Sequence, residues 1–532
     1  MINFFKKFIT VNKLISLNNK LFKYPKNYNE GYILVEYFNY YPSMITFSLF
    51  SFILSNKYNS KIVSYNPRPV NYKKKFIFLI KKIFPFSSWN IYKSFGVRNI
   101  FSPIIDKKKY SKISSKLISS LKSKQDLLEL KIENILVGDL FYDEYLATRS
   151  KSTIEISSKN FEDFFFEAVS LFYFWHEYAS KNKINAVVLS HSVYFVGLLG
   201  RILITKDIPV YQVSGKYAYY LNKNNFIKMS GFSSGKEEFD KLSDKIKSKL
   251  KKISKAQLEK RFVGLSDVKQ SNDQKTNIRI FGDIDKSKKI LQNTKNKMKV
   301  LIASHCFQDA VHAYGENLFV DFHEWIEFLG KKSDQLTNFD WYFKIHPAIY
   351  ERNILYAKYF ANKYPRINIL PKEVTNNQLI YEGISVVLTT YGSVGHEFPM
   401  FNIPVVNACI NGPHIDYDIN IYPKNVNDYS KYIDNLDKLK IENNLLTKDK
   451  IYEYYSMRYL MDYSPFKKII ELTQKYSKNF NTIDIINYWL DNFENIQFES
   501  IIDNYKQFIN SKKFRMTAIN LESYSIPLNE KR

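Results

Sequence analysis

Cysteine is nearly absent: the chain of 532 residues carries two, Cys306 and Cys409. Two cysteines cannot build a disulfide framework and their spacing fits no metal motif. They are read as small buried apolar residues, and a reducing compartment is expected. Long apolar runs are also missing. No stretch reaches the ~18 residues of a membrane span, and the best one, Ser43 to Leu54, is short enough to predict a buried helix. The segment Met1 to Lys26 alternates Phe and Ile with Lys but has no small-residue cleavage site, so no secretory signal is expected. Zinc-finger, RNA-recognition and homeodomain patterns are lacking, as is any solenoid period. Nucleic acid is therefore not an expected partner.

What the chain has in surplus is positive charge, +26 from 78 Lys and Arg against 52 Asp and Glu. Such a surplus suits an anionic membrane face or an acidic substrate. An AT-rich coding sequence would also produce it, since Lys, Asn, Ile, Phe and Tyr are all abundant. The lysines are scattered rather than gathered in one stripe. The expected location is cytoplasmic, with the basic, aromatic N-terminal segment as the contact to the inner membrane face.

The length suits two domains of roughly 200–250 residues. Apolar runs rich in β-branched residues alternate with helical patterns, the signature of βαβ units and parallel sheets. The first half predicts strands at Tyr32–Glu36, Lys61–Tyr65, Ile132–Val137, Ala186–Ser190 and Pro209–Val213. The second predicts strands at Lys299–Ser304, Trp341–His346, Ile367–Leu370, Ser385–Thr389 and Pro404–Asn407. This divides the chain into a doubly wound domain over 1–235, a charged and partly helical connector over 236–297, a second α/β domain over 298–445, and a helical segment over 446–532.

Ligands of open α/β sheets bind outside the carboxyl ends of the strands. Six of the eight histidines fall in the second α/β run, several at such ends. The sharpest element is Thr389-Thr390-Tyr391-Gly392-Ser393-Val394-Gly395-His396-Glu397, a strand running into a turn with two glycines that opens a helix. Glycine permits close backbone approach, a helix N-terminus suits a phosphate, and Ser393 adds a hydroxyl. Glu397, one turn in, could accept hydrogen bonds from ribose. Its structural alternative is a residue that complements the helix dipole. Lys344-Ile345-His346-Pro347 closes another strand and brings a cation to the same edge. His305, Asp309 and His312 follow the first strand of the second half. A zinc site there would lack a further ligand. In the first half Glu36, Asp139 and His191 sit at strand ends, and each is a candidate general base.

These residues resemble the bacterial capsule and surface-polysaccharide glycosyltransferases related to the capsular Kdo transferases. The likeness rests on Lys344-Ile345-His346-Pro347, on Tyr391 to Glu397 followed by Ile403-Pro404-Val405-Val406, on Val137 to Asp143, and on Ser190-His191. It spans about 130 to 410, with His396 where a large apolar residue is more usual. It implies a GT-B-like fold: α/β, two doubly wound, Rossmann-like domains facing a cleft, with C-terminal helices, the acceptor held by the domain over 1–235 and the nucleotide sugar by that over 298–445. It further implies that Lys344, His346, Thr390, Gly392, Ser393, Gly395 and Glu397 hold the donor nucleotide, His346 and Ser393 at the phosphate and Glu397 at the ribose or base.

The function this implies is transfer of a sugar from a nucleotide-sugar donor to a saccharide or lipid-linked saccharide acceptor of a surface polysaccharide. Asp139, His191 and Asp309 are the candidate bases, and Glu36 and His305 are candidate cleft residues. No cofactor is called for. Asp283-Ile284-Asp285 has Asp-x-Asp spacing but lies in the charged connector, so no metal is invoked. A CDP-glycerol-type polyol-phosphate transferase, a nucleotide-sugar epimerase and a non-catalytic basic membrane adaptor are the alternatives.

Overall fold

The computed structural model describes residues 2–24, 27–69, 87–215, 217–226, 235–265, 280–292, 297–347, 350–461, 482–491 and 498–516. The chain divides into two compact units. One comprises Met1–Phe141, Ile156–Gly231 and Asp462–Arg532, the other Tyr142–Glu155 and Phe232–Met461.

The first unit is built on strands β1 (Tyr32–Glu36), β2 (Lys61–Tyr65), β3 (Val97–Phe101), β6 (Ile184–Leu189), β7 (Val210–Val213) and β8 (Ala218–Leu221), ordered β3-β2-β1-β6-β7-β8. All neighbours run parallel except β7 and β8. Ile33, Leu34 and Val35 are fully buried, as are Ala186 to Leu189, which is why these strands read as unbroken apolar runs. The two-residue strands β4 (Lys131–Ile132) and β5 (Ile135–Leu136) form a separate antiparallel pair. They replace the single strand expected over Ile132–Val137. The turn residues Glu133 and Asn134, both at positive φ, fold that run back on itself.

Helix Tyr41–Tyr58 is the buried helix expected around Ser43 to Leu54. Its Ser48 and Ser51 hydroxyls donate to the carbonyls of Ile45 and Phe47, which lets polar residues sit in an apolar interior. It packs against the C-terminal helices Thr482–Asp491 and Phe498–Ser511. Those helices thus complete the core of the first unit, while helix Asn444–Tyr455 belongs to the second. The rest of the helix expected from Lys448 onward falls partly outside the described residues. Among the described helices none is long and apolar enough to cross a membrane.

The second unit holds β9 (Met298–Ala303), β10 (Phe339–Lys344), β11 (Ile367–Ile369), β12 (Ile384–Thr389) and β13 (Val405–Asn407) in the order β11-β10-β9-β12-β13, all parallel. Part of the expected connector is built into this unit. Helix Asp244–Phe262 lies along helix Asn444–Tyr455, with Lys251 Nζ 2.6 Å from Asp449 and 2.9 Å from Glu453. Its Ser254 hydroxyl bonds that of Ser456 at 2.8 Å. Residues 142–155 join the same unit: Asp143 accepts from the backbone N–H of His312 at 3.2 Å and meets its Nδ1 at 2.7 Å, and Tyr142 donates to Asp321 at 2.6 Å.

Both sheets are doubly wound α/β sheets. Truncating Trp489 on the C-terminal helix, which is 2% exposed, should therefore destabilise the first unit by about 3–5 kcal/mol. Urea unfolding of Trp489→Ala followed by circular dichroism checks this, and a loss under about 1 kcal/mol would mean that the helix is peripheral to the core.

Candidate functional site

In an open α/β sheet the strand order reverses at one place, and there the segments leaving two adjacent strands part to opposite faces and open a crevice. In the second unit that place lies between β9 and β12. The chain leaves β9 through Ser304-His305-Cys306 and leaves β12 through Thr390-Tyr391-Gly392-Ser393. The two exits touch: His305 Nε2 donates to the Tyr391 carbonyl, and the two ring centroids are 4.7 Å apart. Gly392 makes this contact feasible. Its φ is +143°, and a Cβ there would stand 3.0 Å from His305 Nε2.

The exit of β10 joins the group. Ser304 donates its N–H and hydroxyl to the Lys344 carbonyl at 3.1 and 3.2 Å, and the His346 N–H donates to Ser304 Oγ at 3.3 Å. The His346 ring then stacks on that of His305, centroids 5.6 Å apart at 15°. Burial holds His305 down at about 3 and lowers His346 as well, so both rings are neutral at physiological pH. Asp309 is exposed just beyond, and its charge acts on His346. Gly392, Ser393 and Val394 are half-buried, and beside them the buried Thr390 hydroxyl has no hydrogen-bond partner among the described residues.

The helix that follows is short. It is one turn, Val394–Glu397, continued by a 3₁₀ turn at Pro399–Phe401. The N–H groups of Gly395, His396 and Glu397 bond the carbonyls of Gly392 and Ser393. An anion at this turn would therefore meet the N–H groups of Ser393 and Val394 and the Ser393 hydroxyl, with little help from a helix dipole.

Three residues expected at the ligand face inward instead. Glu397 is fully buried, with Oε1 held by Arg261 Nε at 3.0 Å and Nη2 at 2.5 Å, and Oε2 by Asn376 Nδ2 at 3.3 Å. Asn376 passes the chain on by accepting from Lys344 Nζ at 2.6 Å, and Lys344 also donates to the Val374 carbonyl at 2.9 Å. Burial pushes the Lys344 amine down to about 8, against the pull of the Glu397 charge. Glu397 and Lys344 are thus interior struts of the turn, with every Glu397 oxygen spoken for. Gly395 makes room for a histidine rather than for a ligand, since a Cβ on it would stand 2.5 Å from the His414 ring. His414 in turn bonds His396, Nε2 to Nδ1 at 3.3 Å, within a cluster of tyrosines that includes Tyr454 and Tyr459.

His312 is committed to Asp143 and, through Nε2, to the Val320 carbonyl at 2.8 Å, so it is not free to join His305 and Asp309 around a metal. Among the described residues no cluster of metal-ligating side chains occurs. Arg261, Asn353, Asn376 and His414 complete the surroundings of the site. Only their tertiary placement reveals them, since none lies in the strand-end motifs.

The first unit has its own reversal between β1 and β6. Glu36 closes β1 and is 2% exposed, and its Oε2 accepts the Ser190 N–H at 2.6 Å. Burial raises its pKa, opposed by the Ser190 bonds and the charge of Arg68. His191 Nδ1 lies 2.7 Å from Ser190 Oγ, and its ring meets Phe38 edge-on at 5.8 Å. Asp139 is elsewhere. It stands in the first turn of helix Gly138–Arg149, where Arg201 grips both its oxygens, Nη1 to Oδ1 and Nη2 to Oδ2 at 2.8 Å. A buried carboxylate so paired is a structural anchor rather than a base.

Comparison with solved structures finds the UDP-GlcNAc 2-epimerase from Neisseria meningitidis bound to UDP-GlcNAc, at 10% identity over 84% of this chain and 100% of that one, with a TM-score of 0.22. It also finds the Methanocaldococcus jannaschii UDP-GlcNAc 2-epimerase in complex with UDP-GlcNAc and UDP, at 12% identity over 79% and 97%, TM-score 0.25. A calicheamicin glycosyltransferase overlaps at 10% identity over 81% and 94%, TM-score 0.24. Likeness this slight carries no argument, and the fold stands on the chain's own sheets. No protein-family model matches the chain, and no curated protein does.

Two outcomes follow from the buried groups. Glu397→Ala leaves Arg261 buried without its counter-charge and should destabilise the second unit by about 3–5 kcal/mol. Urea melts of the variant check this, and a melt unchanged within about 0.5 kcal/mol would show the pair to be dispensable. Burial, followed by the charges of Arg261 and Arg458, holds His396 well below its ordinary pKa, and burial, followed by His396 and Arg458, does the same to His414. Both lower the folded-state pKa, so below about pH 6.5 the unfolded chain binds protons that the folded chain refuses. Stability contributed by the neutral pair is full above that pH. It should fall by up to about 1.4 kcal/mol per pH unit per histidine on acidification. His396→Phe should flatten the slope of unfolding free energy measured from pH 7 to pH 5.

Proposed function

We propose that the chain is a glycosyltransferase of the GT-B type that takes a nucleotide-sugar donor at the reversal point of its second sheet and serves surface-polysaccharide synthesis. The observation that supports this most directly is the convergence of His305, His346 and the Gly392-Ser393 turn on one crevice edge. In this reading the donor diphosphate meets the Ser393 hydroxyl, the N–H groups of Ser393 and Val394, and an imidazole N–H of His346. As the bond to the anomeric carbon lengthens, negative charge accumulates on the leaving phosphate. Donors already aimed at it stabilise that charge, with one well-placed donor contributing about 3 kcal/mol. Neither imidazole has to be a cation for this, since each nitrogen-bound proton is a donor in the neutral ring.

The acceptor hydroxyl needs a proton acceptor as it attacks. His191, at the reversal point of the first sheet, is the residue we assign, and Glu36 is the carboxylate behind it, held by the Ser190 N–H. General-base assistance of this kind contributes roughly 10²–10⁴ in rate. Asp139 is set aside because Arg201 occupies it, and Asp309, exposed beside His346, is the rival base.

A thermal-shift titration with CMP, CDP, UDP, GDP and their sugar conjugates tests the donor site. The nucleotide that binds, at a hundred times its dissociation constant, should stabilise by about 2.7 kcal/mol. Ser393→Ala should weaken that binding by about tenfold or more, the scale of one hydrogen bond to a charged group. His191→Ala should leave nucleotide binding intact and lower sugar transfer at least about a hundredfold. No shift with any nucleotide would sink the reading. Turnover of a UDP-sugar without acceptor would replace it by epimerisation.

A further inference from the structure

The four residues that leave β1, Tyr37-Phe38-Asn39-Tyr40, include three aromatics, where a connecting segment ordinarily carries small and polar residues. They stand at the reversal between β1 and β6, the crevice position of the first sheet. Tyr92 pins the segment from inside. It is fully buried, and its hydroxyl accepts the Phe38 N–H at 2.9 Å and donates to the Glu36 carbonyl at 2.8 Å. Tyr37 belongs to the same scaffold, its ring 5.0 Å from that of Tyr92 and its hydroxyl 2.6 Å from Ser88 Oγ. Phe38 and Tyr40 are half-buried side by side, ring centroids 5.9 Å apart and planes at 49°, with the exposed Asn39 between them in the chain. Phe38 also meets the half-buried His191 ring, at 5.8 Å and 84°.

Tyr40 occupies the N-cap of helix Tyr41–Tyr58 without making a capping hydrogen bond. Serine, threonine, asparagine or aspartate there would satisfy an open N–H of the first turn and stabilise the helix. An aromatic ring at that place answers a demand other than helix stability. We propose that Phe38 and Tyr40 form the stacking platform of a saccharide subsite, and that Asn39 and His191 supply its polar contacts. Its role as the acceptor subsite rests on the reading above. A pyranose whose hydroxyls lie mostly equatorial shows a face of C–H bonds. The π face of an aromatic ring is electron-rich and attracts those weakly positive hydrogens, and both apolar faces leave water. The rim of hydroxyls on the same sugar needs groups that donate and accept. An amide does both, and an imidazole with one ring proton has a nitrogen of each kind. The occupant is therefore a sugar ring with one continuous C–H face, bound so that a hydroxyl on its rim meets His191.

Saturation-transfer NMR on the full chain without nucleotide reads this subsite. The probes are the methyl glycosides of glucose, galactose, mannose and N-acetylglucosamine, with adenosine monophosphate as a flat-ring control. At least one glycoside should receive saturation on the ring hydrogens of a single face. Phe38→Leu keeps apolar bulk but removes the π face, and should weaken that glycoside roughly threefold to tenfold, as should Tyr40→Ser. Tyr40→Ser also completes the helix cap, so its urea midpoint should equal or exceed that of the unaltered protein, whereas a ring needed for packing would lower it. Phe38→Tyr and Tyr40→Phe should bind as the unaltered protein does. Four results overturn the inference: no transfer to any glycoside, transfer unchanged in Phe38→Leu or Tyr40→Ser, a lowered midpoint in Tyr40→Ser, or Phe38-dependent transfer to the adenine hydrogens instead. The glycosyltransferase reading fails separately. Absence of every nucleotide shift would remove it and leave the saccharide subsite to its own spectra.

Discussion

Parallel strands set all their carboxyl ends on one edge of a sheet, and a single reversal of strand order decides which of those ends are left uncovered. In the second unit the reversal lies between β9 and β12, and the rest of the site depends on it. It brings the exit of β9 against the exit of β12 closely enough for His305 to bond the Tyr391 carbonyl. That closeness is what a side chain at position 392 would obstruct, so the glycine answers a packing demand as well as a turn. The neighbouring exit of β10 is tied in through Ser304, and His346 arrives stacked on His305 as a consequence.

Charge is distributed around this edge in an unexpected way. The cations one would assign to a phosphate, Arg261 and Lys344, stand behind the turn, bound to Glu397 and Asn376. The groups that converge on the crevice edge are neutral, two imidazoles, a serine hydroxyl and backbone N–H groups, with the Asp309 carboxylate exposed just beyond. Burial explains the division, because a charge taken out of water is tolerated only where a counter-charge and hydrogen bonds meet it. Arg261 meets that condition through Glu397, and the histidines avoid it by staying unprotonated. Helix Asp244–Phe262, which carries Arg261, is thereby fastened to the back of the Gly-rich turn by an ion pair as well as by its apolar face.

The strands with unbroken β-branched runs were legible in advance. Tyr32–Glu36 and Lys61–Tyr65 agree with the structure to the residue, and the second sheet agrees to within two residues at each strand start. Strands β3 and β8 were not legible. Val97-Arg98-Asn99-Ile100-Phe101 carries two polar residues in the middle of a short strand, and Ala218-Tyr219-Tyr220-Leu221 follows β7 with no helix between, so neither has the periodicity of a buried parallel strand. The Gly-rich turn opens a helix as its residues suggest, a single turn at Val394–Glu397 that Pro399 continues as a 3₁₀ turn to Phe401.

The sequence by itself determined that two α/β sheets form and that histidines, glycines and a serine collect at the strand ends, because apolar periodicity and turn chemistry are local properties written residue by residue. It could not determine which polar side chains at those ends face a ligand and which face the interior. Glu397 and Ser393 stand four positions apart in one motif. Yet an arginine from a helix more than a hundred residues earlier buries the first and leaves the second reachable. Asp139 was likewise claimed by Arg201, 62 positions away. Partner choice among buried charges is a long-range property, settled by which elements the folded chain brings within hydrogen-bonding distance, and only the tertiary structure decided it.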